Sequence, residues 1–374
     1  MANLDSLNTP SLILDLARVQ RNAEHMAAKA TQLGVRLRPH IKTHKCVEVA
    51  RLQTAGHDGA VTVSTLAEAR AFAANGFRNI TYAVPIERGK FAAAFALMQE
   101  DVTLNLLSDD FATVRELDVA AGNAGVRPGV FVKIDCGYHR VGVEPMSEAA
   151  IMIPRLISDA AHLEFAGILT HAGHSYDVQT VDEIKSVARL ERDVMVKHSE
   201  KLRDLGIEVP TVSIGSTPTM SLVDDLTGID EIRPGNYIFY DNFQATLGSC
   251  SFEDTALTVL AAVVHRDEHR RKLVIDAGGI AMSKDRGPIE LDAECGYGRV
   301  LDLEGVDTEM RLTKLSQEHG QIEAGGSDIF DRFKVGDRLR ILANHSCMTA
   351  AQHTHYNVLE NGEIVDRWKI HTGW

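Results

Sequence analysis

Hydrophobic positions fall into two regimes along the chain. From about residue 36 to 240, short β-rich runs alternate with amphipathic stretches. The runs are RLRPHIK, AVTVST, NITYAV, TLNLLS, GVFVKID, FAGILTHA, TVSIGS and EIRPGNYIF, and segments such as TLAEARAFAANG and MSEAAIMIPRLISDAAH separate them. Eight strand-then-helix units predict an α/β fold, a (β/α)8 TIM-type barrel. A doubly wound sheet usually needs fewer units, and no GxGxxG follows the first strand. After about residue 245, ALTVLAAVVHR, KLVIDAGG, DRLRILANHS and IVDRWKIH read as strands joined by turns, with no long helix. These predict a C-terminal mostly-β domain. The early SLILDL is a strand expected to join it, so the division is 18–244 for the barrel and 1–17 plus 245–374 for the β domain.

Composition narrows the class. The chain has 374 residues, enough for one large domain and a smaller one. The formal net charge of -13 disfavours nucleic acid and anionic membrane as partners. The N-terminus lacks the pattern of a signal peptide, and no apolar run approaches the ~18 residues of a membrane span. Five cysteines, an odd number at wide spacing without CxxC, suit reduced thiols and a cytoplasmic location.

In a (β/α)8 barrel the reacting groups sit at the C-terminal ends of the strands. Here those ends read RPHIKTHK, KIDCGYHR, LTHAGHSY, SIGSTPT and RPGNY. In SIGSTPT, Gly215 permits close backbone approach, and Ser216, Thr217 and Thr219 offer hydroxyls and helix caps to an anion. Barrels often bind phosphate after strands 7 and 8, although an ordinary turn has the same composition. Lys42 closes the first run, where alternation would place Arg38, His40 and Lys42 on one face. Partial burial and nearby cations would make Lys42 a better amine nucleophile. An amine facing a phosphate loop suggests pyridoxal phosphate held as a Schiff base. A solvated Lys42 is the plain alternative, and Lys45 is the rival lysine. Arg140 and His171 end strands 5 and 6, suited to the cofactor's phenolate and ring face, or to structural hydrogen bonds. Arg233 suits the pyridine nitrogen, with surface exposure as its alternative.

These motifs resemble the fold-type III, alanine-racemase-like pyridoxal-phosphate enzymes. IDAGGIAMSKDRG, GYGRV, QEHG and NHSCMTA are similar to the branch of D-serine dehydratase, D-threo-3-hydroxyaspartate dehydratase and D-threonine aldolase. The resemblance implies a homodimer with its active site at the subunit interface. It also implies that Lys42 carries the cofactor, Arg140 contacts its oxygen, and His171 lies beside the ring. Ser216, Thr217, Gly235 and Asn236 would hold the phosphate, and Arg233 would face the ring nitrogen.

The same resemblance marks His345 and Cys347 in ANHSCMTAAQH as a His-x-Cys metal pair. On a strand, positions i and i+2 point the same way. Imidazole plus thiolate suits Zn2+, with Mn2+, Co2+ or Mg2+ as other divalent ions. His353 and His355 share the spacing and read as structural. The implied activity is a lyase on β-hydroxy-D-amino acids, favouring dehydration of D-serine or 3-hydroxy-D-aspartate to a 2-oxo acid and ammonia. The alternative is retro-aldol cleavage to glycine and an aldehyde. An amino-acid racemase, with Tyr297 as its second base, and a non-enzymatic pyridoxal-phosphate carrier rank below both. His44, His174, Tyr176 and His319 have no assigned role at this stage.

Overall fold

The structure, a computed structural model, describes residues 3–323 and 328–374. Packing divides the chain into two units, Met1–Glu24 with Asn236–Ile370, and His25–Gly235 with His371–Trp374.

The larger unit is the barrel. Its strands are β2 (Arg36–Leu37), β3 (Val61–Val63), β4 (Asn79–Pro85), β5 (Thr103–Ser108), β6 (Gly129–Lys133), β7 (Glu164–Leu169), β8 (Val212–Ile214) and β9 (Glu231–Ile232). They form one parallel sheet in the order β2-β9-β8-β7-β6-β5-β4-β3. A bridge between His40 and Thr62 joins the two ends. All eight predicted runs are present. Their apolar residues are nearly all buried, each worth roughly 1.5–3 kcal/mol in transfer free energy. Helices flank them, among them α2 (Val47–Thr54), α3 (Leu66–Ala73), α7 (Val181–Asp204) and α8 (Thr217–Leu222). Short polar signals begin several of these: Thr65, Thr180 and Ser216 each form a capping box with the residue three positions on.

The first and last predicted runs are shorter than the sequence suggests. β2 stops at Leu37 because Pro39 offers no N–H for a ladder. The segment stays extended to His40, whose N–H donates to Pro234 O, and then folds into a 3-10 turn over Ile41–Thr43. Lys42 therefore sits in a turn, not on a shared strand face with Arg38 and His40. Likewise β9 ends at Ile232, ahead of Pro234.

The second unit is built on a nine-stranded sheet. β1 (Ser11–Asp15) pairs antiparallel with β10 (Leu257–Asp267) and parallel with β16 (His355–Glu360). SLILDL thus pairs with strands from the C-terminal part of the chain. β15 (Arg338–Ala343) lies on the other side of β10, and short helices α9 (Asn242–Leu247), α10 (Gly279–Met282) and α11 (Ser346–Ala350) interrupt the strands. Among the described residues no helix is long and apolar enough to cross a membrane.

Candidate active site

At the C-terminal ends of the barrel strands the chain gathers positive charge. Arg233 is buried, and its guanidinium donates to Ser213 Oγ at 2.8 Å and to the carbonyl of Thr170. It is not the exposed arginine that the sequence left open. Burial pulls it down to about 10, against Glu231 and Glu191, which push it up. Lys133, the last residue of β6, is buried, and burial together with Arg233 and Arg140 brings its amine to about 7. Arg140 itself is exposed and stacks on the Tyr138 ring, 4.9 Å from guanidinium to centroid.

Lys42 is exposed rather than desolvated, which corrects the expectation of partial burial. Its cationic neighbourhood is real, since its charge acts on both His40 and His171. Lys45, the rival lysine, is committed elsewhere: it forms an ion pair with the fully buried Glu68. His44 is buried and neutral, lowered to about 3 mainly by burial. It accepts from Cys46 N at 3.0 Å, so its Nε2 donates to Gln53 Oε1 at 2.8 Å.

His171 follows β7 and meets Tyr138 edge to face, with ring centroids 6.0 Å apart. Burial, then Lys42 and Lys133, hold its imidazole well below the usual histidine value. It lies 3.2 Å from Gly215 O through Nδ1. A carbonyl only accepts, so Nδ1 carries the proton and Nε2 keeps a free lone pair. Gly215 has φ 120°, a region open to glycine, and Ser216 caps α8 behind it. Ser216 and Thr217 are both buried. A Cβ on Gly235 would stand 2.7 Å from His40 O, so the chain there admits only glycine.

Lys42, Lys133, Arg140 and Arg233 thus act on one neighbourhood with two neutral histidines. Glu231 and Glu191 are the carboxylates acting on Arg233, and Glu231 is already held by Arg38 at 2.7 Å. Several cations beside a glycine-lined turn fit a small anionic aromatic group such as pyridoxal phosphate.

The second collection lies in the β unit and has the opposite sign. β15 ends at Ala343, and His345 is the N-cap of α11, with Cys347 in its first turn. The pair is therefore not on a strand, as its spacing suggested. Local helix geometry brings the two side chains together instead, and they hydrogen-bond. His345 Nδ1 is held by Asp285 Oδ2 at 2.6 Å, which fixes the orientation of the ring. Burial pulls the imidazole down, but Cys347, Asp285 and Asp241 outweigh it and raise it well above the usual value. Asp241 is buried and accepts from Ser346 N at 2.9 Å and Asn236 Nδ2 at 2.8 Å. The same Asn236 amide lies 3.5 Å from Cys347 Sγ. The structure thus groups Asn236 with the His345–Cys347 set. Among the described residues no three His, Cys, Asp or Glu side chains cluster as a metal cage. A nitrogen and a sulfur donor backed by carboxylates fit a borderline-soft divalent ion with open positions.

Two known domain families match end to end: "Alanine racemase, N-terminal domain" over residues 14–242 and "Putative serine dehydratase domain" over 256–359. The chain belongs to the alanine-racemase-like family. It is 39% identical to the D-threo-3-hydroxyaspartate dehydratase of Delftia sp. (strain HT23), over 99% of this chain and 98% of that one. The solved structure of that enzyme superposes with a TM-score of 0.96 at 38% identity, covering both chains fully. Mutants of it include a histidine-to-alanine form and a cysteine-to-alanine form described as metal-free, at positions two residues apart. The D-serine dehydratase of Dictyostelium discoideum is 36% identical over 100% of this chain and 98% of its own. A 3-hydroxy-D-aspartate aldolase from Paracoccus denitrificans is 30% identical over 97% and 92%.

Sequence reasoning missed several members of these sets. Lys133 carried a signal, a lysine ending the apolar run VFVK. Asp285 lay in a quoted motif without a role. Asp241 and Glu191 had no signal, because an acid in a polar stretch reads as solvated. Of the undecided residues, His319 is exposed, and His174 is partly buried beside Tyr138. Tyr176 ends a 3-10 turn, and Tyr297 lies 5.8 Å from the Arg286 guanidinium. His353 donates from Nε2 to Ala281 O, a structural bond.

Proposed function

We propose that this chain is a pyridoxal-phosphate- and divalent-metal-dependent lyase of β-hydroxy-D-amino acids, acting as a dehydratase. The observation that carries the reading is the pairing, in one chain, of a cation-rich barrel mouth with a His345–Cys347 donor pair held by Asp285. The full-length likeness to two dehydratases, at higher identity than to the aldolase, supports elimination over retro-aldol cleavage.

Bound, pyridoxal phosphate supplies an electron sink and the divalent ion supplies a Lewis acid for the departing β-hydroxyl. Lys42 would hold the cofactor and then serve as the base that takes the Cα proton. Ser216, Thr217 and Gly235 would receive the phosphate, and Arg140 the phenolate oxygen. Arg233 would face the ring nitrogen, where a permanent cation disfavours protonation. His171, neutral with Nε2 free, would lie beside the ring. His345 and Cys347 would hold the ion, favouring Zn2+ for its taste for nitrogen and sulfur. We place the enzyme in the cytoplasm as a homodimer. That none of the five cysteines is paired in a disulfide supports a reducing compartment.

The test compares D-serine, D-threonine and 3-hydroxy-D-aspartate with purified protein, cofactor and metal. Ammonia with a 2-oxo acid is expected, most from D-serine or 3-hydroxy-D-aspartate. Glycine with an aldehyde moves the enzyme to the aldolases, and loss of optical purity without either product makes it a racemase.

A further inference from the structure

Helix α7 packs against the barrel wall and buries one carboxylate, which no part of the proposed reaction uses. Glu191 is fully buried. Its Oε1 accepts from the backbone N–H of Ala172 at 3.0 Å and of Gly215 at 3.1 Å. Its Oε2 accepts from the Thr219 hydroxyl at 3.2 Å. Ala172 follows His171, and Gly215 precedes Ser216. One side chain therefore ties together the loops after β7 and β8, at the residues adjoining two proposed cofactor contacts. Gly215 is held on both sides, its N–H by Glu191 and its carbonyl by His171.

A hydroxyl chain continues from the carboxylate. Thr219 Oγ1 lies 2.9 Å from Ser216 Oγ, which lies 2.9 Å from Ser175 Oγ. Thr219 has one hydroxyl proton. Given to Glu191, it leaves Thr219 to accept from the Ser216 N–H at 3.1 Å and from the Ser216 hydroxyl. Burying a carboxyl is costly, and a well-packed apolar residue would serve stability better. Burial raises this carboxyl, while the Gly215 and Ala172 N–H groups and Arg233 hold it down.

We infer that Glu191 is a positioning residue, clamping the loops after β7 and β8 so that the turn through Gly215 and Ser216 is held in shape for the cofactor's phosphate. The inference rests on the proposed reading of Ser216 and Thr217 as phosphate contacts. Glutamine at 191 keeps the clamp, because its Oε1 accepts both N–H groups and its Nε2 donates to Thr219 Oγ1. Alanine removes the clamp. Thr219→Val removes the third contact of the carboxylate and the acceptor of the Ser216 N–H together.

The experiment measures dissociation constants of pyridoxal phosphate and of pyridoxal, which lacks the phosphate, for the wild type, E191Q, E191A and T219V. Melting of each apoprotein is followed in parallel. Glu191→Ala and Thr219→Val are expected to weaken pyridoxal phosphate about tenfold or more, with pyridoxal nearly unchanged. Glu191→Gln should stay within about threefold of the wild type for both. Equal losses for both ligands, or none in either variant, overturn the inference. Should Glu191→Ala not fold, the selectivity of Thr219→Val decides alone. A wild type that binds both ligands equally well contradicts the phosphate reading itself, and the inference falls with it.

Discussion

The barrel and the β unit each collect charged side chains, and the two collections differ in sign and construction. In the barrel, Lys42, Lys133, Arg140 and Arg233 converge electrostatically at strand ends, and the carboxylates near them are already engaged. In the β unit, Asp241 and Asp285 surround a histidine and a thiol. One collection is dominated by cations, and the other gathers carboxylates about a histidine and a thiol. The difference teaches how to read a site from the sign of its charge: the first suits an anionic group and the second a metal cation. Construction differs as well. The barrel site uses turns fixed by topology and glycine, whereas the β unit uses side-chain hydrogen bonds to aim its donors.

Breaking each half should separate them. Lys42→Ala is expected to lower turnover about 10²- to 10⁴-fold and to abolish borohydride-stable attachment of the cofactor, with metal content unchanged. An attached cofactor in that variant, found by peptide mass analysis, would point to another lysine. His345→Ala or Cys347→Ala should do the reverse. The metal is lost by elemental analysis and turnover falls about 10²-fold or more, while the cofactor's absorption band remains. Lys45→Met should leave both ligands bound yet cost roughly 3 kcal/mol in denaturant unfolding, because Glu68 stays buried without its ion-pair partner. Retained stability would show that the backbone N–H groups of Ser64 and Thr65 suffice for that carboxylate. Asp285→Asn should weaken metal affinity about 10- to 100-fold by competitive chelator titration, with cofactor affinity constant.

A further test concerns acid. His44 sits at 6.5 when unfolded and at about 3 when folded. Between these values the unfolded chain binds the extra proton, so stability falls as pH is lowered, by about 1.4 kcal/mol per unit from this residue. The contribution is fully present above pH 6.5. His44→Gln should flatten that slope in a series of unfolding curves from neutral to acid.

The barrel was legible because its strands are near-continuous apolar runs, and the turn into α8 because Gly215 and Ser216 combine turn and cap chemistry in one short string. What was misread is local backbone. Pro39 ends β2 early, so an alternation argument across Arg38, His40 and Lys42 had no strand to act on. Asn344 separates β15 from a cap at His345, so a strand argument for His345 and Cys347 gave a pairing that a helical turn in fact produces. Glu191 and Glu68 were invisible because helical acids read as solvated, and only packing reveals that both are buried.

The measurement closest to the central claim is ammonia release from 3-hydroxy-D-aspartate before chelation, after it, and after divalent metal is restored. The account predicts ammonia with a 2-oxo acid, its loss in metal-stripped protein that still holds pyridoxal phosphate, and recovery on adding Zn2+ or Mn2+. Full-rate ammonia release from protein shown by elemental analysis to hold no divalent ion would contradict it.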